Sequence, residues 1–462
     1  MMHFTASEVA RICGGRLLSG DPGTLFTRVV TDSRDGVAGA LFVALRGERL
    51  DGHEFVPDAI GRGASGALVS TPPGEGLAGA AVVQVEDALV ALGRLAAAHR
   101  LKFKGLVVGV TGSVGKTTAK EMISAVLSVR FKVAKNEGNM NTEIGVPISV
   151  FNLSEDYDAG VFELAMRLKG EITYLAGIVR PQIGVITNIS ETHLERLGTR
   201  ENIALAKAEL LEALPADGLA VLNGDNEWIR RIRSMARCRV VLYGMEPGAE
   251  VRAAGVAVDE NGTSFDLLAG GRSTRCFIGI PGGHHVHNAL AAACVGLHCG
   301  LGVEEIAEGL RAFRQASMRS EFIDAGGIRF INDAYNASPV STKAALTVLS
   351  QVAAGRRVAV LGNMLELGDY TVPGHRETGE AVAGNGIDVL VAVGNLASDI
   401  AGGALAAGMP GSRVHRCKSN GDAVILLKDL LKPGDTVLVK GSRGARMEEI
   451  LDALLEGESC ST

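Results

Sequence analysis

The apolar run Val107-Val108-Gly109-Val110, followed by Thr111-Gly112-Ser113-Val114-Gly115-Lys116-Thr117-Thr118, constrains this chain more than any other stretch. The run reads as a buried parallel strand and the residues after Lys116 as a helix. A glycine-rich turn between them aims successive backbone N–H groups and a helix N-terminus at one anion. That arrangement predicts a nucleoside triphosphate, with Gly112, Ser113, Val114, Gly115 and Thr118 around its phosphates. Lys116 would reach the terminal phosphates and the Thr117 hydroxyl a Mg²⁺. Val110 stands where the strict G-x-x-x-x-G-K-[ST] pattern has its first glycine, so the loop is a subtype of that pattern. An ordinary Gly-rich turn is the weaker reading, because Lys-Thr-Thr follows the glycines between a strand and a helix.

A chain of 462 residues exceeds one ordinary core, and its length suggests about three domains. Its 60 glycines and 4% aromatics favour an α/β protein with many tight strand-helix turns. The net charge of -6, with basic residues dispersed, argues against a nucleic-acid partner. Seven cysteines are scattered without a C-x-x-C pair, as in reduced thiol proteins. Cys294, His298 and Cys299 read as helix packing rather than a metal cluster. No apolar run approaches the roughly 18 residues that span a bilayer. Residues 1–16 contain Glu8 and Arg11 and lack the apolar core of a signal peptide, so a cytoplasmic location is expected.

Residues 1–103 read as a small α/β domain, including a helix at 88–101. From 104 to 315, strands at 107–110, 160–164, 184–188 and 219–223 alternate with helices, the pattern of a doubly wound parallel sheet. Residues 238–280 read as a β-rich excursion from it. A third α/β domain, 316–462 and Rossmann-like, carries apolar strands at 358–362, 389–394 and 436–441, with the linker at 311–318. Ligands of such sheets sit at the carboxyl ends of the strands.

Glu163 ends the second strand of the central block, at that edge, where a carboxylate is a natural partner for Mg²⁺. His193 follows the next strand in a strand-to-helix loop. Lys207 lies on a helix at 199–214 among Ala204, Leu205, Ala206, Ala208, Leu210 and Leu211. Such a lysine ordinarily snorkels to water. Held inside instead, its amine tends toward neutrality, and a neutral amine adds CO₂ to become an anionic carbamate.

Together these motifs resemble the Mur ligases, ATP-dependent amide-bond-forming enzymes of peptidoglycan synthesis, in which T-G-x-x-G-K-[ST]-T is the usual phosphate loop. Thr31-Asp32-Ser33-Arg34 and Asp51-Gly52-His53 resemble the family's nucleotide-sugar-binding first domain, and Gly138-Asn139-Met140-Asn141-Thr142-Glu143-Ile144-Gly145 its G-N-x-N-x-E-I-G. Asn332-Asp333-Ala334-Tyr335-Asn336-Ala337-Ser338-Pro339, Leu361 to Gly368, His375-Arg376-Glu377 and Val439 to Arg443 are similar to the branch adding D-alanyl-D-alanine to UDP-N-acetylmuramoyl-tripeptide. The resemblance runs from position 31 to about 447. It implies one or two Mg²⁺ held by Thr117, Glu163, His193 and a carbamylated Lys207. Asn288 would contact adenine, with Arg319 and Asp333 near the ribose and phosphates. Ser33 and Arg34 would touch the uridine diphosphate, and Asn139, Asn141, Tyr335 and Asn336 the substrates. Ala165, Lys169, His285, Ser338 and Asn363 depart from the family pattern.

The expected reaction is ATP-driven formation of an acyl phosphate that the dipeptide amine attacks, in a monomer. The third domain should close over the second, open before ligands enter and shut around them, bringing Arg319 and Asp333 to the nucleotide. Another Mur-type ligase or a folylpolyglutamate synthase is the near rival. A regulatory P-loop NTPase is the distant one, and it leaves Lys207 without a role.

Overall fold

The computed structural model describes residues 2–47, 49–73, 77 and 79–459. Three sheets organise it. The first has the strand order Arg16–Ser19, Ala81–Gln84, Gly66–Val69, Ala40–Val43, Arg28–Val30, parallel except for its first pair. The central sheet is nine-stranded. Leu106–Thr111, which leads into the phosphate loop, lies between Ala159–Glu163 and Ile183–Ile186, parallel to both. These strands read as unbroken apolar runs because helices cover both faces of a parallel sheet.

The segment taken as a β-rich excursion is the continuation of this same sheet. Arg239–Gly244 pairs in parallel with Leu219–Asn223, and Val251–Asp259, Gly262–Ala269 and Arg272–Ile278 extend the edge, the last three antiparallel to one another. The alternation Val251, Ala253, Phe265, Leu267, Cys276 and Ile278 turns one face inward to the core, which a period of two dictates. The third sheet orders Glu321–Ala325, Ile328–Asp333, Thr436–Lys440, Arg357–Gly362, Val389–Val393 and Val414–Cys417, parallel beyond its first pair. Three α/β domains therefore stand in the order expected.

The first two domains share one core. A single cluster runs from Phe4, Leu41 and Leu92 through Val107, Phe162 and Leu175 to Ile229. Arg100, at the end of helix Ala88–Arg100, reinforces the junction by donating to the carbonyls of Val179 (2.6 Å), Phe103 (3.1 Å) and Arg180 (3.1 Å). The third domain has separate clusters on the two faces of its sheet. The connection to it, after helix Val303–Ala312, carries two non-glycine residues in the left-handed region, Met318 (φ 57°) and Ser320 (φ 52°).

Candidate active site

The phosphate loop folds as its residues dictate. Gly115 adopts φ 84° and starts helix Lys116–Leu127 without a side-chain cap, so the first N–H groups of the helix are free for an anion. Lys116 Nζ donates to the carbonyls of Gly112 (2.9 Å) and Ser113 (3.3 Å), curling over the loop. Burial lowers its pKa, Glu163 counters that shift, and Arg319 adds to it. Ser113 Oγ donates to Ser190 O at 3.1 Å and accepts from Ser190 N at 3.0 Å, tying the loop to the next strand end. Val114 and Thr118 line the cavity with it, while Gly112 lies behind, packed so closely on Thr187 that no Cβ fits. A Cβ at Gly115 would meet Asn288 Oδ1 at 2.6 Å, which seats Asn288 directly on the loop.

Glu163 is buried and pre-oriented. Thr117 Oγ1 donates to its Oε2 at 2.7 Å and Asn141 Nδ2 to its Oε1 at 2.8 Å. Asn136 brackets its backbone, accepting from Glu163 N (2.9 Å) and donating to Glu163 O (3.1 Å). His193 (φ 57°) stands before the short helix Leu194–Leu197, its Nδ1 2.5 Å from Glu366 Oε2 of the third domain. Burial lowers its pKa, with Glu366 opposing the shift and Lys116 and Lys207 adding to it. Lys207 sits on helix Arg200–Glu212, 2% exposed. Burial, with Lys116 as the lesser cause, holds its pKa well below the ordinary value. Lysine snorkelling does not occur here.

Lys116, Thr117, Glu163 and His193 open onto one cavity of about 1180 Å³ that also takes in Asn139, Asn141, Asn288, Arg319, Asp333, Tyr335 and Asn336, whereas the buried Lys207 is not part of its lining. The second and third domains thus face each other across this cavity. Asp333 and Lys440, at the ends of adjacent parallel strands, pair at 2.5 Å, and Lys440 also donates to Asn336 O at 2.9 Å. The Arg319 guanidinium lies 4.1 Å from the centre of the Tyr335 ring, a cation–π contact.

Ser33 and Arg34 are not brought into this cavity. Ser33 is buried and Arg34 is exposed, paired with Asp32 at 2.5 Å, so they form a separate place on the first domain. The departures divide by position. Ala165, Lys169 and Ser338 line the cavity, Ser338 also capping helix Pro339–Val352, whereas Asn363 accepts from Ala397 N as a structural brace. His285 is 4% exposed and neither ring nitrogen has a hydrogen-bond partner. Cys294 is buried in the helix packing, and among the described residues no group of three His, Cys, Asp or Glu side chains forms a metal cluster.

Sequence reasoning did not single out Lys440, Glu366 or Asn136. Lys440 was findable, since it ends a parallel strand as Glu163 does. Glu366 meets its partner 173 positions away, and no local pattern announces such a contact.

A phosphate loop at the centre of a parallel sheet, facing a second doubly wound sheet across one cavity, defines a three-domain P-loop enzyme that uses ATP. The chain belongs to the Mur ligase family. Sequence models described as "Mur ligase family, catalytic domain", "Mur ligase middle domain" and "Mur ligase, glutamate ligase domain" match residues 26–100, 110–296 and 318–443. The UDP-N-acetylmuramoyl-tripeptide--D-alanyl-D-alanine ligase of Bacillus subtilis is 38% identical, over 99% of each chain. A crystal structure of MurF from Acinetobacter baumannii is similar with a TM-score of 0.91 and 32% identity over 99% of each chain. MurF of Thermotoga maritima, in complex with ADP, gives 0.83 and 28% identity, covering 94% of this chain and 98% of that one.

Proposed function

We propose that this chain joins D-alanyl-D-alanine to UDP-N-acetylmuramoyl-tripeptide at the expense of ATP in the cytoplasm, giving the UDP-MurNAc-pentapeptide, ADP and phosphate. The observation that carries the reading is the shared cavity, in which Lys116 and Glu163 of one sheet face Arg319, Asp333 and Tyr335 of another. Its volume of about 1180 Å³ exceeds the roughly 300–1,000 Å³ of a single small-molecule site, as a nucleotide with two further substrates requires. The working unit in this reading is a monomer.

The terminal carboxylate of the tripeptide attacks the γ-phosphorus of ATP. The bond to the bridging oxygen breaks, ADP leaves, and an acyl phosphate forms. The dipeptide amine then adds to the acyl carbon and loses a proton, and phosphate departs. In phosphoryl transfer the protein contributes mainly position and charge neutralisation. Lys116 and the loop N–H groups take the phosphates, Asn288 the adenine, and Arg319 and Asp333 the ribose and phosphate edge. Tyr335 and Asn336 face the acceptor side, while Asn139 and Asn141 flank the carboxylate to be activated. Ser33 and Arg34 receive the uridine diphosphate on the first domain. Closure keeps water from the acyl phosphate.

Thr117, Glu163 and His193 fit one or two Mg²⁺. The Thr117 hydroxyl and Glu163 carboxylate are already 2.7 Å apart and held from behind, and Mg²⁺ needs few protein ligands when phosphates and waters supply the rest. The ion, when bound, neutralises charge on the phosphates. Lys207 has no carboxylate partner among the described residues, and its depressed pKa favours the neutral amine. That amine adds to the carbon of CO₂, releases a proton, and becomes the carbamate that would complete the set.

A purified-protein assay tests the function. Phosphate release from ATP should require UDP-MurNAc-tripeptide and D-alanyl-D-alanine together. Release with a folate and glutamate instead, or hydrolysis independent of any acceptor, overturns it.

A further inference from the structure

His193 and Glu366 belong to different domains and touch at 2.5 Å. Both are non-glycine residues in the left-handed backbone region, at φ 57° and 62°, a conformation that costs energy and persists only where the surroundings enforce it. The backbone joins in, with Glu195 N donating to Glu366 O at 3.3 Å. Gly368 (φ 56°) permits the approach, since a Cβ there would stand 3.0 Å from Glu195 Cα. Arg167 lies on the other carboxylate oxygen at 3.9 Å. A turn of the third domain is therefore shaped to deliver one carboxylate to one imidazole nitrogen.

We propose that Glu366 is a positioning residue that makes domain closure and completion of the metal site a single event. With Nδ1–H donating to Glu366, the His193 ring is locked in the tautomer whose lone pair is on Nε2, the nitrogen left to serve as ligand. A carboxylate behind a ligating imidazole fixes its orientation and raises its basicity. With the domains apart, the ring has neither constraint. Metal binding at His193 and closure of the third domain are then thermodynamically linked, each favouring the other. The inference rests on the reading of His193 as a metal ligand.

The test is Mn²⁺ binding by electron paramagnetic resonance to the full chain with a non-hydrolysable ATP analogue. Glu366→Gly removes the carboxylate without straining a turn at positive φ, and Glu366→Gln keeps an acceptor oxygen for Nδ1–H. Glu366→Gly should bind Mn²⁺ roughly 10–100-fold more weakly, with nucleotide binding in EDTA unchanged, while Glu366→Gln stays within about threefold of the parent. Distance labels on the second and third domains should report a smaller closed fraction for Glu366→Gly. Mn²⁺ affinity within twofold of the parent for Glu366→Gly overturns the proposal. His193→Ala separates the two readings: retained Mn²⁺ affinity there removes His193 from the metal site, whereas loss there with retention in Glu366→Gly removes only Glu366.

Discussion

The second and third sheets each bring a lysine and a carboxylate to the carboxyl edge of adjacent parallel strands, Lys440 and Asp333 as strand ends and Lys116 from the helix start that faces the strand end Glu163, yet they use them differently. Lys440 is 3% exposed and neutralised by Asp333 at 2.5 Å. Lys116 donates only to carbonyls of its own loop, while Glu163 is engaged by Thr117 and Asn141. One lysine is already compensated, whereas the other forms no ion pair among the described residues. A half-buried cation without a direct carboxylate partner favours the arrival of an anion, so Lys116 suits a phosphate, whereas Lys440 is first of all the internal counter-charge of Asp333 at the edge of the same cavity. The same contrast holds for histidines. His375 is buried and satisfied, accepting from Met364 N at 3.0 Å and facing Thr371 O at 2.7 Å, whereas His285 is buried with both nitrogens unpartnered.

The largest expected effect breaks the contrast at its charged end. Lys116→Ala should lower kcat by at least roughly 10²–10³-fold, the scale of losing one preorganised charge-stabilising donor, with the unfolding midpoint unchanged. Lys207→Ala should come close to abolishing ligation with folding intact, and turnover near that of the parent would remove the carbamate from the mechanism. In the third sheet the order reverses: Asp333→Ala leaves Lys440 buried and unpaired and should destabilise the protein by about 3 kcal/mol in denaturant unfolding. A destabilised Lys116→Ala with a stable Asp333→Ala would refute the distinction.

Acid should act next. Burial lowers the pKa of His285, His99 and His375 in the folded protein. The unfolded chain therefore binds more protons once pH falls below about 6.5, so stability declines from there toward the folded values and is flat above about 7.5. His285→Asn should reduce that slope in pH-dependent thermal unfolding. The smallest change is Arg34→Ala, which leaves thermal stability unaltered because its pair with Asp32 is exposed. It should raise KM for the UDP-sugar substrate, and an unchanged KM would take Arg34 out of substrate binding.

Most of the central sheet was legible because its chemistry is local. The phosphate loop needs glycines, a lysine and a threonine within eight positions, and parallel strands advertise themselves as apolar runs. Glu163 and His193 followed from where strands end. The β-rich character of residues 238–280 was legible, but the alternation of the edge strands has the period of an antiparallel edge and gives no hint of which sheet they extend. Lys440 with Asp333 spans 107 positions and Glu366 with His193 spans 173. Such pairs are set by how sheets stack, and composition or periodicity carries no record of that. The unsatisfied nitrogens of His285 were equally invisible, since partner atoms exist only once the chain has folded.

The core that Leu92 and Phe162 share across the first two domains, with Arg100 fastened to the Val179 and Arg180 carbonyls, makes the molecule a vice with one fixed jaw. The distance from Ser33 and Arg34 on the first domain to the phosphate loop is set by that joint, like a gauge block between anvil and frame. The other jaw is the third domain, which has cores of its own and is joined through the few residues around Met318 and Ser320. In the proposed reaction a substrate that bridges the first two domains would have to match that fixed spacing, whatever the third domain does.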